Sequence, residues 1–399
     1  MTIDFKHAHR DIRAILDSVL DGGELSEAQA TRLLSSDGDD LKAVMSCANE
    51  LRQQVHGKKS SFVVTRNINF TNVCHMGCRF CGFGKHKDSA EAELLPMETL
   101  AQRAQEAVKR GATEVCIQGG LHPDLPGSHY RDIVKTIKRA TPDIHLHAFS
   151  PFEIYYGAKK SRMSYADFLS DLKACGLDSV PGTAAEILDV EVRKILTKDK
   201  LSAKSWIDII KVAHQVGLPS TATMMYGHVD QPHHWAAHMA LLRDIQKETG
   251  GFTEFVPLGF VHYDSPLYLE DQRTRPGPTK REHIAIHAVA RIMLHGHIDN
   301  IQASWVKLGP QLAAESQNFG VNDMGGTLMN ESISRASGAL YGQEITPAEM
   351  RKMISSQGFE AWQRTTSYQQ AQKISSSTVT TLQPRSQWQA QQIPVLEVV

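Results

Sequence analysis

Apolar positions in the first part of the chain recur at helical spacing. Ile12, Ile15, Leu16, Val19 and Leu20 form one stripe, Gly22-Gly23 interrupts it, Ser26-Glu27-Ala28 opens a second helix, and Asp40-Leu41-Lys42 begins a third that runs through Leu51. From about residue 61 the texture changes to short β-rich runs alternating with amphipathic helices. The runs are 62–69, 113–118, 144–149, 177–180, 220–225, 252–256, 300–306 and a weak last one at 320–323; helical patterns lie at 97–110, 130–140, 165–175, 184–195, 203–216, 234–248 and 280–294. Such alternation implies parallel strands joined by helical crossovers. Eight strands in about 270 residues predict an α/β protein of the (β/α)8 TIM-barrel type. Beyond Tyr368 the chain turns to Gln, Ser and Thr, with almost no aliphatic periodicity until Ile393, the texture of a disordered tail. The expected organisation is a helical cap over 1–58, a barrel with C-terminal helices over 59–368, and a tail over 369–399.

Composition narrows the partners. With 43 basic and 44 acidic residues and a pI near 7.0, nothing points to nucleic acid or an anionic membrane surface. No apolar run approaches the ~20 residues that cross a bilayer, and the first residues lack the pattern of a secretory signal. Cys47, Cys116 and Cys175 are scattered and read as reduced, buried small hydrophobes, which fits a cytoplasmic location.

The candidate chemistry is concentrated in one run, Asn67 to Phe83, where Cys74, Cys78 and Cys81 are spaced so that their sulfurs can converge. Structural zinc closes its tetrahedron with four ligands, whereas three thiolates suit a [4Fe–4S] cluster held on three of its irons. The fourth iron is then open to the amino and carboxylate groups of S-adenosylmethionine, whose cleavage gives a 5′-deoxyadenosyl radical. The alternative is a zinc knuckle completed by His75 or His86, a non-catalytic binding protein; no second CxxC pair supports it. The loop follows the first strand, and in such barrels working residues lie at the C-terminal ends of strands.

The CxxxCxxC spacing with Phe80 before the last cysteine resembles the radical SAM signature. Asn67 to Cys74, Gln118 to Leu125, His145 to Pro151, Pro181 to Leu188 and Ala222 to His228 resemble the group of aminofutalosine synthase, the cyclic dehypoxanthine futalosine enzyme and both halves of deazaflavin (coenzyme FO) synthase. Thr253 to Leu258, Asn300 to Gly309, Gly325 to Arg335 and Gln363 to Thr366 are most similar to the CofH family within it. Gly82 and Gly84-Lys85-His86 depart from the pattern, standing where bulkier residues are expected.

The resemblance implies a transferase that joins the 4-hydroxybenzyl group of L-tyrosine to 5-amino-6-(D-ribitylamino)uracil, with a second FO synthase subunit taking the product and an electron donor such as a flavodoxin or ferredoxin. The nearest rival is aminofutalosine synthase of menaquinone biosynthesis. On this reading Cys74, Cys78 and Cys81 are the metal ligands, and Phe80, Gly119, Gly120, Glu153 and Glu186 are cofactor-binding candidates. The glycines let backbone approach the methionine end, or simply make a tight turn; the glutamates bind ribose hydroxyls or the methionyl ammonium, or are helix-start carboxylates. His122, His228, His262, Asp323 and Arg335 are substrate-binding candidates, against structural roles for each histidine, an Asx turn for Asp323 and a surface ion pair for Arg335. No catalytic residue is assigned.

Overall fold

The computed structural model describes residues 5–197, 200–368 and 371–373. Three helices come first, Arg10–Leu20, Glu27–Leu34 and Gly38–His56. Ser26 and Gln29 close a capping box on the second, so two otherwise orphaned amide groups are satisfied. The cap packs on the outer helices of the main unit: Gly38–His56 lies against Lys280–Leu294, and Glu27–Leu34 against Pro232–Thr249. Arg52, fully buried, ties it down by donating to the carbonyls of Val321, Gly57 and Lys59.

Nine strands follow among the described residues: β1 Lys59–Val63, β2 Thr65–Asn69, β3 Glu114–Gln118, β4 His145–Ala148, β5 Ser220–Tyr226, β6 Phe252–Gly259, β7 Asp323–Gly326, β8 Glu360–Arg364 and β9 Ala371–Lys373. They form a four-stranded sheet in the order β7-β1-β8-β9, a three-stranded sheet β2-β3-β4 and a pair β5-β6. All pairings are parallel except β8 with β9. Single parallel bridges link the sheets: His147 to Ser179, Val180 to Ser220, Phe255 to Ile301, and Gln302 to Asp323. The regular, continuous barrel expected from the pattern is thus divided.

Several predicted elements shift. The first run breaks at Val64 into β1 and β2, and the runs at 177–180 and 300–306 shrink to single bridges, the latter continuing as the short helix Trp305–Leu308. The helix expected from 184 begins only at Val190, because Ala184 and Glu186 sit at φ 65° and 42°, outside helical backbone. Segment 151–161, which lies between the expected elements, is the helix Pro151–Ser161, started by a Ser150/Glu153 capping box. Strand β9 lies inside the segment expected to be disordered; the rest of that tail falls outside the described residues.

The last displacement matters most. The strand predicted to end at Asp323 begins there, which puts this carboxylate at the end of the sheet opposite the cysteine loop. Arg364, from the end of β8, donates to both Asp323 oxygens at 2.6 and 3.0 Å and to Glu254 at 3.1 Å. Tyr368 donates to Glu254 at 2.5 Å and Thr366 to Glu114 at 2.5 Å. Burial opposes the Arg364 charge, yet Asp323, Tyr368 and Glu254 hold its pKa well above the usual arginine value. Asp323, expected at a strand end facing substrate, is thus held in a buried ion pair with Arg364 and is not in the lining of the cavity described below.

Candidate active site

β2 ends at Asn69, and the chain then crosses the open end of the strands as the cysteine loop. The loop is pinned from several directions. Thr71 Oγ1 donates to the Glu93 carbonyl at 2.6 Å, Cys74 N to Lys85 O at 2.9 Å, Arg79 N to Leu196 O at 3.1 Å, and Gly82 N to Ser337 Oγ at 3.3 Å. Gly82, one of the departures from the family pattern, is explained here: a Cβ on it would lie 2.2 Å from the Ala336 carbonyl oxygen.

Beneath the loop lies a cavity of about 430 Å³. Cys74, Cys78 and Cys81 line it and are unpaired thiols. Burial raises the Cys74 pKa and pushes Cys78 up to about 11, with Lys200 acting in the opposite sense. Thiols so placed keep their protons near neutral pH unless a cation displaces them, the behaviour of metal ligands before loading. Among the described residues no three of Cys, His, Asp and Glu gather at a single-ion position; three thiols spread over the roof of a cavity suit a cluster in which each thiolate takes a separate iron. Neither histidine offered as a fourth ligand lines the cavity. His75 Nδ1 is 2.7 Å from the Leu121 carbonyl, and exposed His86 faces Asp88. The donor set fits the cluster.

Phe80, Gly119, Gly120, Glu153 and Glu186 line the same space. A Cβ on Gly120 would meet Val73 O at 2.3 Å and Cys74 Cβ at 3.0 Å; one on Gly119 would meet the Phe70 ring at 2.6 Å. These two glycines let strand β3 run directly under the loop. Glu153 accepts from Gly119 N at 3.0 Å, Ser150 N at 2.8 Å and Ser150 Oγ at 2.7 Å, while burial raises its pKa to about 7. Glu186 pairs with Lys200 through one oxygen, and its Oε2 is buried with no partner among the described residues. Lys200 in turn sits 4.7 Å above the Phe80 ring.

The remaining candidates do not face the cavity. His122 Nδ1 accepts from Asp124 N at 3.2 Å in a local turn. His228 is fully buried, its Nε2 3.0 Å from Met225 O and its Nδ1 accepting from Val229 N. His262 packs between Tyr263 and Tyr268. Arg335 is exposed on a short 3-10 turn. The three histidines follow strands, as expected, and Arg335 lies on a short helical turn, but none of the four is in the lining of this cavity.

Sequence reasoning missed Lys200, Lys307, Glu331, Gln118, Thr183 and Asn67, all in the lining. Alternation along β2 and β3, which puts Asn67 and Gln118 on the opposite face from their buried neighbours Ile68 and Ile117, was the available signal for two of them.

Comparison with known proteins assigns this architecture. The model for the Radical SAM superfamily matches residues 68–242, and that for the CofH/MqnC C-terminal region matches residues 249–377. The 5-amino-6-(D-ribitylamino)uracil–L-tyrosine 4-hydroxyphenyl transferase of Methanopyrus kandleri is 49% identical over 87% of this chain and 94% of that protein. The chain belongs to the CofH family of radical SAM proteins. FO synthases of Mycobacterium leprae and Mycobacterium tuberculosis H37Rv are each 53% identical, over 90% and 86% of this chain but only 42% and 40% of their own lengths. This CofH-family chain thus spans less than half of those relatives. Among solved structures, the FeFe-hydrogenase maturase HydG of Carboxydothermus hydrogenoformans aligns with a TM-score of 0.70 at 15% identity, covering 90% of this chain and 80% of that one. Methylornithine synthase, PylB, aligns at 0.66 and 18%, covering 86% and 96%. Both support the radical SAM fold. In this CofH-family chain the two matched regions share one cavity: the first supplies the cysteine loop, Gly119, Gly120, Glu153 and Glu186, the second Gln302, Lys307 and Glu331. No helix among the described residues is long and apolar enough to cross a membrane.

Proposed function

We propose that this chain joins the 4-hydroxybenzyl group of L-tyrosine to 5-amino-6-(D-ribitylamino)uracil, the Cα–Cβ bond of tyrosine being broken as the new carbon–carbon bond forms. The observation that carries this reading is identity of 49% along 94% of a transferase so named, together with a cysteine loop that opens on the one cavity shared by both family regions. Members of the superfamily use a [4Fe–4S] cluster and S-adenosylmethionine, which here would sit on Cys74, Cys78 and Cys81 and supply the 5′-deoxyadenosyl radical.

The chain's own residues hold and shield the reactants. Gly119 and Gly120 bring backbone within reach of the methionine end of the cofactor, and Glu153, through its bond to Gly119 N, keeps that turn under the loop. Glu186 presents a buried oxygen with no partner among the described residues, suited to a hydroxyl or ammonium donor. Lys200, paired to Glu186 and stacked on Phe80, holds that carboxylate in place beside the loop. The apolar walls exclude water, so a reactive carbon centre is not quenched. We extend the reading to the fold: the parallel bridges between the three sheets support one (β/α)8 barrel over 59–368, with 1–58 as its cap. The product would pass to a second radical SAM enzyme that closes the deazaflavin ring, and a flavodoxin or ferredoxin would supply electrons.

Anaerobically reconstituted protein given L-tyrosine and the diaminouracil should form the coupled adduct, read by mass spectrometry. Product formation only from an enolpyruvyl benzoate would assign aminofutalosine synthase instead. Iron and sulfide should each approach about four per chain; one zinc and no brown colour would leave only a binding protein.

A further inference from the structure

Within the half of the cavity furnished by the C-terminal family region stand two opposite charges that the cluster and its cofactor leave unused. Lys307 lies on the short helix Trp305–Leu308, fixed by the Trp305 Nε1 bond to Gly326 O at 2.9 Å. Lys307 lines the cavity, and its side chain makes no hydrogen bond or ion pair among the described residues. Burial lowers its pKa, with Glu331 and then Cys81 pulling the other way. Glu331, only 6% exposed, lines the cavity from the segment after β7. It accepts from Ser334 N at 2.9 Å and 3.1 Å and from Arg335 N at 3.3 Å, which fixes its orientation. A carboxylate has about four acceptor positions, so these contacts leave room for an incoming donor. The two side chains sense one another yet do not touch as an ion pair.

We propose that Lys307 and Glu331 form a clamp for a zwitterionic α-amino acid, Lys307 taking the α-carboxylate and Glu331 the α-ammonium of L-tyrosine. This rests on the reading of tyrosine as substrate given above. A cation and an anion held apart in a desolvated cavity gain most from a ligand that carries both opposite charges and fills the gap. Leu258, Phe260, Trp305, Leu328 and Ile333, from the same sector, give the phenol ring an apolar wall. The sector is continuous: the helix of Lys307 packs on β6, and Asp264 N reaches Ser337 O at 3.2 Å. Gly119, Gly120, Glu153 and Glu186 come from the segments that follow β3, β4 and residue 180, so cofactor and amino acid would take different walls under the cysteines.

The test is equilibrium binding to the reconstituted, S-adenosylmethionine-loaded full chain, using L-tyrosine, tyramine and 3-(4-hydroxyphenyl)propionate. Lys307→Met should weaken L-tyrosine roughly ten- to a hundredfold, the value of a charge-assisted bond, and leave tyramine, which has no carboxylate, unchanged. Glu331→Gln should weaken L-tyrosine similarly and spare the propionate, which has no ammonium; Lys307→Arg should restore tyrosine binding in part. Equal loss of tyrosine and tyramine in Lys307→Met, or no loss of either, overturns the clamp. Loss of S-adenosylmethionine binding with tyrosine unaffected would assign Lys307 to the cofactor and also overturn it. Should Glu331→Gln fail to fold, the Lys307 pair of variants decides alone. Wild-type protein that binds no tyrosine sinks the substrate reading itself, a result distinct from tyrosine binding that ignores Lys307.

Discussion

Replacing Gly120 with Ala is the sharpest probe of how the cysteine loop is supported. The added methyl would lie 2.3 Å from the Val73 carbonyl oxygen and 3.0 Å from Cys74 Cβ, where ordinary contact begins at 3.4 Å. Either strand β3 or the loop must retreat by about 1 Å, and overpacking of this kind costs roughly 1–3 kcal/mol. The stability loss is modest, but the displaced group is a proposed iron ligand, and a shift of about 1 Å in a reacting constellation can cost on the order of 100-fold in rate. Iron per chain after anaerobic reconstitution, the brown absorbance and the rate of adduct formation should all fall, while the melting temperature drops only a few degrees. Gly82→Ala, whose methyl would lie 2.2 Å from Ala336 O, should behave alike. Gly77 lies between the same cysteines, has nothing within 4 Å of its built Cβ and is not at positive φ, so Gly77→Ala should load iron normally. Normal iron and rate in Gly120→Ala, or equal damage from Gly77→Ala, would refute the argument that close backbone approach seats the loop.

At the closed end of the sheets, Arg364→Met leaves Asp323 and Glu254 buried without their cation. Removing one partner of such a pair costs roughly 3–5 kcal/mol, and denaturant unfolding should show it while iron binding by the folded fraction persists. Glu153, buried and titrating near 7 when folded, against an ordinary carboxylate near 4.5, favours the folded state fully below the lower value and loses that advantage as pH rises through about 7. The cofactor-free protein should therefore lose on the order of 3 kcal/mol from this group between those limits, and a Glu153→Gln variant, which cannot ionise, should flatten that part of a stability-against-pH curve. Cys78 titrates near 11 and Cys74 above its ordinary value because both are buried. Cluster assembly at neutral pH should then release about one proton per bound thiol, measurable as a buffer-dependent heat of iron binding; a heat independent of buffer would count against thiolate ligation.

Three thiols separated by a few residues share a volume whatever the rest of the chain does, so Cys74, Cys78 and Cys81 were readable from spacing alone. Helices such as Lys280–Leu294 announced themselves through period and caps. The Ser150 to Glu153 capping box that starts the helix Pro151–Ser161 was also written in the sequence, though no element was expected there. What depended on register was not readable. Asp323 lies only a few residues from the mouth in sequence, but the strand starts there instead of ending, and one shift of a short strand moves a carboxylate to the far end of the sheet. Arg364, its buried partner, is 41 positions away. Lys307 and Glu331 acquire meaning only because a helix of four residues and a turn after β7 bring them to one wall. Local spacing determined that the three cysteines share one cavity, since their separation is set by bonds a few residues long. Tertiary structure alone decided which polar side chains face the cavity, because that choice is made by pairings between segments tens to hundreds of residues apart.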